Sequence, residues 1–411
     1  MQKLSKLMLA AIAAIALATP AMAWDFSASG SVSSQFNMKS EKASSAVEAT
    51  APKTFASSSG GISLKSAHTD GDKTLTFTYK LDVDTDGTAG ATAGLDETLS
   101  LAASDKLGGW TATATATQHK LVDGENGATG TQGDAITADP SAAITLVSGD
   151  GKMTYVLGSA THLARPNKAS AVGAVGGLQD AIMNGDAHNG FSVGIALNDT
   201  LSITPALDMN RSAQCFGGTA QPGTSTTATQ ATCMGVNVAG TAGVVGYSVS
   251  LGSGSSSDDN GTQGSTGSSS VMGVALSFTF GTSVIAFDIA GETVTGKATS
   301  SSTVTQKSVG SETEFSYVLT LGEDSITINV SNDSNEATTT ATADKPTKQT
   351  GFEVGYKTAV GPVTLEVGYG HNTTTDADDS ETAAFEGMEW AGTSGNGESD
   401  SDIGVKMSWS F

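Results

Sequence analysis

In TLTFTYKLDVD, residues 74–84, Leu75, Phe77, Tyr79, Leu81 and Val83 alternate with Thr76, Thr78, Lys80, Asp82 and Asp84. Side chains of an extended strand point to opposite faces in turn, so this stretch separates an apolar environment from a polar one. The same alternation returns in ETEFSYVLTL (Phe315, Tyr317, Leu319, Leu321), DSITINVSN (Ile326, Ile328, Val330) and GPVTLEVGYG (Val363, Leu365, Val367, Tyr369). It closes the chain in SDIGVKMSWSF, with Ile403, Val405, Met407, Trp409 and Phe411 on one face. No segment with helical periodicity matches it in strength. The fold class is therefore all-β, and the open question is what lies on each side of the sheet.

Connection lengths supply a second pattern. Eight tight connections, HTDGDK, SDKLGG, SGDGK, LNDT, AGTAG, FGT, GED and AVGP, carry the Gly, Asp, Asn and Pro chemistry of hairpin turns. Long polar stretches alternate with them, near 37–59, 85–94, 120–141, 160–189, 211–233, 253–269, 293–311, 334–349 and 372–400. Eight hairpins plus a first and a last strand give about 18 strands, each of roughly 9–11 residues, the length that crosses hydrocarbon when tilted. Merging the hairpin around Ser141–Ser159 gives the alternative of 16.

The first 23 residues have Lys3 and Lys6, an apolar run from Leu7 to Ala18 and small residues at Ala21 and Ala23, the layout of a cleaved export signal. The run is too short to span a bilayer as a helix. One domain, 24–411, follows from this reading. The whole chain carries a formal charge of -22, and removing two lysines takes it to -24. Such an acidic balance excludes a nucleic-acid partner and attracts cations. Two cysteines, Cys215 and Cys233, lie in one polar stretch; outside the cytoplasm a disulfide between them is expected, with buried thiols as the alternative.

A soluble β-sandwich also alternates, but a chain of this size should bury some strands on both faces, and the polar faces here are nearly uninterrupted. Aromatic residues at strand ends (Trp24, Trp110, Tyr369, Trp409) fit the girdles of a membrane interface. In hydrocarbon every backbone N–H and C=O must be paired, which strands achieve only in a closed sheet. The expected architecture is a transmembrane antiparallel up-and-down barrel. Its interior, lined by small Ser, Thr and Gly residues, holds water.

On these features the mature chain resembles the Gram-negative outer-membrane porin family. The first strand WDFSASGSVSSQFN, the alternation of long and short connections and the terminal WSF carry the likeness. The resemblance implies a homotrimeric, water-filled channel for small hydrophilic solutes, in contact with outer-membrane lipid. It also implies that Trp409 and Phe411 belong to a signal read by the outer-membrane assembly machinery. The stretch GKMTYVLGSATHLARPNKASAVGAVGGLQDAIMNGDAHNGFSVGIAL resembles a strand, an inward constriction loop and a returning strand. By that likeness Arg165, Asp180, Asp186 and Arg211 would stand at the narrowest point, or be ordinary loop charges if the 160–189 segment folds outward. About five strands precede this loop in general porins, whereas seven are counted here.

Strand parity places Lys65, Lys80, Lys357 and Lys406 on the lumen face, with Asp82, Asp84, Asp208, Asp288, Glu292, Glu314, Glu353, Glu366 and Asp402. The acid excess points to a cation-preferring pore. Asp-rich stretches at SSSDDNG and DADDSE could hold Ca2+ through oxygen ligands but lack the fixed positions of a calcium loop, so no cofactor is expected. His68, His119, His162, His188 and His371 lack metal-ligand spacing. No nucleophile elbow, zinc-protease helix or phosphate loop occurs, so an enzyme is not expected. A substrate-specific channel, which should show lumen aromatics, and a secreted β-rich adhesive protein are the alternative readings.

Overall fold

The computed structural model describes residues 24–42, 53–85, 93–119, 139–160, 188–211, 230–257, 266–297, 306–339, 342–343, 347–375 and 399–411. All of them lie in strands or the connecting turns, and none is helical. The 19 strands form one antiparallel sheet, in which one strand is a two-residue bridge and 18 are long. The first strand pairs with both the second and the last, so the sheet is a closed 18-strand barrel with no free edge. The signal segment 1–23 and the 161–187 stretch fall outside the described residues. So do Arg165, Asp180, Asp186, Cys215 and the acidic clusters beginning at Asp258 and Asp376.

Two compact units are distinguished along the chain. The first holds the start of β1 (Trp24–Lys42), β2 (Lys53–Asp70), β3 (Lys73–Thr85), β4 (Ala93–Leu107), β5 (Trp110–His119), β6 (Asp139–Ser148) and the chain end Ser408–Phe411. The outward set of β3, Leu75, Phe77, Tyr79, Leu81 and Val83, is as the alternation requires, and Leu75, Phe77 and Val83 are exposed. The chain end is held to β1 by two backbone hydrogen bonds, Gly30 N–H to Phe411 O and Phe411 N–H to Gly30 O, each 2.9 Å. The Phe411 ring covers Gly30, where an added Cβ would come within 2.5 Å of Phe411 Cζ. Glycine is needed in that strand because the aromatic ring and the Gly61 carbonyl oxygen, 2.8 Å from an added Cβ, occupy the place of its side chain.

The second unit holds the outer part of β1, then β7 (Met153–Ala160), β8 (His188–Asn198), β9 (Leu201–Arg211), β10 (Gln230–Ala242), β11 (Val245–Ser257) and β12 (Thr266–Phe280). It continues through β13 (Ser283–Lys297), β14 (Gln306–Leu321), β15 (Asp324–Thr339), the bridge β16 (Thr342–Ala343), β17 (Thr347–Val360), β18 (Val363–Thr375) and most of β19 (Ser399–Ser410). Phe287, Phe315, Val330 and Phe352 stand opposite one another in a row across four strands on the outward face. On the other face Val271, Ala275, Ala286 and Ala290 are buried among polar residues.

All eight tight connections are where the sequence puts them. Gly322, at φ +70°, opens the two-residue loop between Leu321 and Asp324, a conformation that L side chains avoid. The loop at Asp199–Thr200 has no glycine; there the Asn198 side chain accepts hydrogen bonds from Thr200 N–H and Oγ1–H, both at 2.9 Å. Strand lengths depart from expectation: long strands run from 8 to 19 residues. Several stretches read as loops are strand for much of their length. The pairing of β14 with β15, for instance, continues out to Gln306 and Thr339. Tyr369 consequently lies inside β18 rather than at its end.

A candidate lumen wall of acids

In β13 and β14 the residues opposite the apolar stripe include Asp288, Glu292, Glu312 and Glu314. The antiparallel register sets Asp288 directly across from Glu314, Ala290 across from Glu312, and Glu292 across from Gly310. Directly opposed like charges repel, so adjacent strands have placed four carboxylates on one small patch against local stability. Their relative exposures are 8% for Asp288, 5% for Glu292, 1% for Glu312 and 5% for Glu314.

The polar lining continues across the next strands. Ser316 Oγ–H donates to Asn329 Oδ1, and Asn329 Nδ2–H donates to Glu353 Oε1 at 2.6 Å. This relay ties β14, β15 and β17 together through side chains as well as backbone. Gln349 and Asn372 are buried on the same face, and Glu292 Oε1 and Gln349 Oε1 are buried without a hydrogen-bond partner. Lys357 stands opposite Glu366 in the β17–β18 ladder, and Lys406 lies on β19. Among the described side chains of this face in the second unit, six acids therefore meet two bases. Earlier strands of the unit contribute small polar groups, as where Asn237 Nδ2–H donates to Ser248 Oγ at 2.8 Å and Ser250 Oγ at 2.7 Å.

Of the residues singled out from sequence, Asp288, Glu292, Glu314, Glu353, Glu366, Lys357 and Lys406 share this wall. In the first unit Lys65, Lys80 and Asp82 are exposed on the face opposite that unit's apolar stripe. Asp84, Asp208 and Asp402 occupy strand positions of matching parity, in β3, β9 and β19. Arg211 is the last residue of β9, and Cys233 sits in β10 opposite Gly254. Trp409 and Phe411 are exposed on the outward face, their ring centroids 5.3 Å apart. Sequence reasoning missed Glu312, Asn329, Gln349 and Asn372. Glu312 has the parity of Glu314 but was the first residue of the strand as read from sequence, so it went uncounted.

Two histidines have partners of their own: His68 stacks on Trp24 at 5.2 Å, and His371 Nδ1 is 2.8 Å from Ser401 Oγ. Among the described residues no three His, Cys, Asp or Glu side chains come together in a way that could hold a metal ion.

No protein-family model matches the chain, and no curated sequence matches it. Solved structures do. An anion-selective porin from Comamonas acidovorans matches at 13% identity with a TM-score of 0.52, over 94% of this chain and 100% of that one. OpdL of Pseudomonas aeruginosa matches at 10% identity with a TM-score of 0.53, over 94% and 99%. The fold is that of the outer-membrane porins. At such identities the likeness is one of architecture, and the lining residues are this chain's own.

Proposed function

We propose that this chain forms a water-filled channel in the bacterial outer membrane, through which small hydrophilic solutes pass passively and cations pass preferentially. The closed sheet meets the requirement that hydrocarbon sets for strands, full backbone pairing, and its outward stripe includes exposed Phe315, Val330, Phe352, Ile403 and Met407. The observation that carries the ion preference is the wall of Asp288, Glu312, Glu314, Glu353 and Glu366 against Lys357 and Lys406. Fixed charge of one sign on low-dielectric walls concentrates counter-ions and repels co-ions. The Comamonas protein is described as anion-selective; the acid wall argues for the opposite preference here. Assembly as a trimer and recognition of the terminal strand by insertion machinery belong to the same reading.

Reversal potential across a planar bilayer under a salt gradient tests it. Stepwise current with a cation-selective sign is expected. A protein that inserts and conducts without preference, or with preference for anions, refutes the selectivity. One that remains in buffer without detergent and never conducts refutes the channel.

A further inference from the structure

Strand β5, WTATATATQH, stands apart from its neighbours: its outward face is Trp110 followed by Ala112, Ala114 and Ala116, methyl groups where other strands carry Leu, Ile, Val or Phe. The register shows what surrounds them. One row across β3–β6 is Leu75, Ala103, Ala114, Ile144, and the next is Phe77, Leu101, Ala116, Ala142. Toward the turns, Asp105 faces Ala112 and Ala112 faces Leu146. The sheet surface is therefore grooved, with an alanine floor between Leu75 and Ile144, and a cavity of about 400 Å3 lies there. Known ligand pockets span roughly 300–1,000 Å3.

One end of the groove is charged. His68, Asp70, Lys73 and Asp105 line it beside the β2–β3 turn, where Asp70 and Lys73 are directly opposed. His68 Nδ1 is buried without a hydrogen-bond partner, and its ring stacks on Trp24. Trp24 and Trp110 begin their strands at this end. Tryptophan marks headgroup depth in a bilayer, so the charges fall where headgroups are and the alanine floor where acyl chains are.

We propose that this groove is a binding site for one zwitterionic aminophospholipid of the leaflet on the short-turn side. Lys73 and the free edge of His68 meet the phosphate, Asp70 and Asp105 meet the ammonium, and an acyl chain lies along Ala112, Ala114 and Ala103. Charges of both signs at one end and none along the floor are the profile of an amphiphile with a neutral head. The proposal rests on the outward face contacting lipid.

The test is native mass spectrometry of the full-length chain, folded in cells and extracted in mild detergent, with phosphatidylethanolamine and phosphatidylglycerol as added probes. Retained phosphatidylethanolamine is expected on the unaltered protein and none on A112L/A114L, whose leucines fill the groove. K73E, which leaves the floor intact, should lower retention about tenfold, the scale of one lost charge-assisted hydrogen bond. Heat-modifiable migration on gels confirms that each variant is folded. Equal retention by the unaltered protein and A112L/A114L overturns the site, as does indifference to the headgroup. A change of oligomeric mass in A112L/A114L with lipid retention unaltered also overturns it, showing that a second copy fills the groove. Conductance of the same samples reports separately on the channel, since A112L/A114L alters no lumen residue.

Discussion

Substituting Phe315 by arginine asks directly whether the outward stripe touches hydrocarbon. Phe315 is 39% exposed, flanked in register by Phe287 and Val330, and six residues from the end of β14 at Leu321. At about 3.3 Å per residue and a tilt of ~45°, those six residues raise it roughly 14 Å along the bilayer normal. The apolar band of an outer-membrane barrel is about 25 Å tall, so Phe315 stands close to its middle while Leu321 stands at its rim. Arginine costs about 2–4 kcal/mol at the midplane and about 0–1 near the interface. F315R should therefore be less stable than L321R by about 2–3 kcal/mol, roughly a hundredfold in the folding equilibrium. On a water-facing strand both changes would fall within about 0.5 kcal/mol of zero. Reversible guanidinium unfolding of the barrel in lipid vesicles, followed by tryptophan fluorescence, measures the difference. Equal stabilities for the two variants would refute the assignment of the apolar face to lipid, and with it the barrel's placement in a membrane.

Other outcomes follow from individual contacts. Replacing the opposed pair with D288N/E314Q should lower the cation-to-anion permeability ratio at least about twofold, read as a smaller reversal potential; an unchanged ratio removes these acids from selectivity. N329L deletes the donor to Glu353 and should cost about 1.5–3 kcal/mol in the same unfolding assay, with a stability equal to the unaltered protein refuting the relay. G322V forces a β-branched residue into the left-handed region at φ +70° and should cost about 1–3 kcal/mol, while G322N is tolerated far better. G30L drives a side chain into both the Phe411 ring and the Gly61 carbonyl oxygen and should reduce the folded, heat-modifiable fraction; an unchanged fraction refutes the close packing at this seam.

How far these features could be read in advance depended on contrast between neighbouring side chains. Within the apolar belt, Phe315, Tyr317 and Leu319 against Glu314, Ser316 and Thr320 show where a strand runs and which way it faces. Beyond the belt both faces meet water. The stretch from Gln306 to Ser311 then loses its period although its backbone pairing persists, and strand ends were placed too early. Tight turns were legible because glycine chemistry marks them, as at Gly71 and Gly361, both with positive φ. Five of the six acids of the wall, all but Glu312, followed from parity alone. Their convergence did not, because the opposition of Asp288 and Glu314 depends on a register between two strands that no local pattern reveals. The β5 groove was visible as TATATAT, but its meaning required knowing that Leu75 and Ile144 stand to either side.

The bond between Gly30 and Phe411 joins residues 381 positions apart in the chain, and it is the stitch that turns a ribbon into a ring. A polypeptide of this design has no stable half-built form: until the final dozen residues arrive, two raw margins remain open to any passing strand. The cylinder can shut only once the last strand has been made, and until then both margins are open to pairing with a foreign strand.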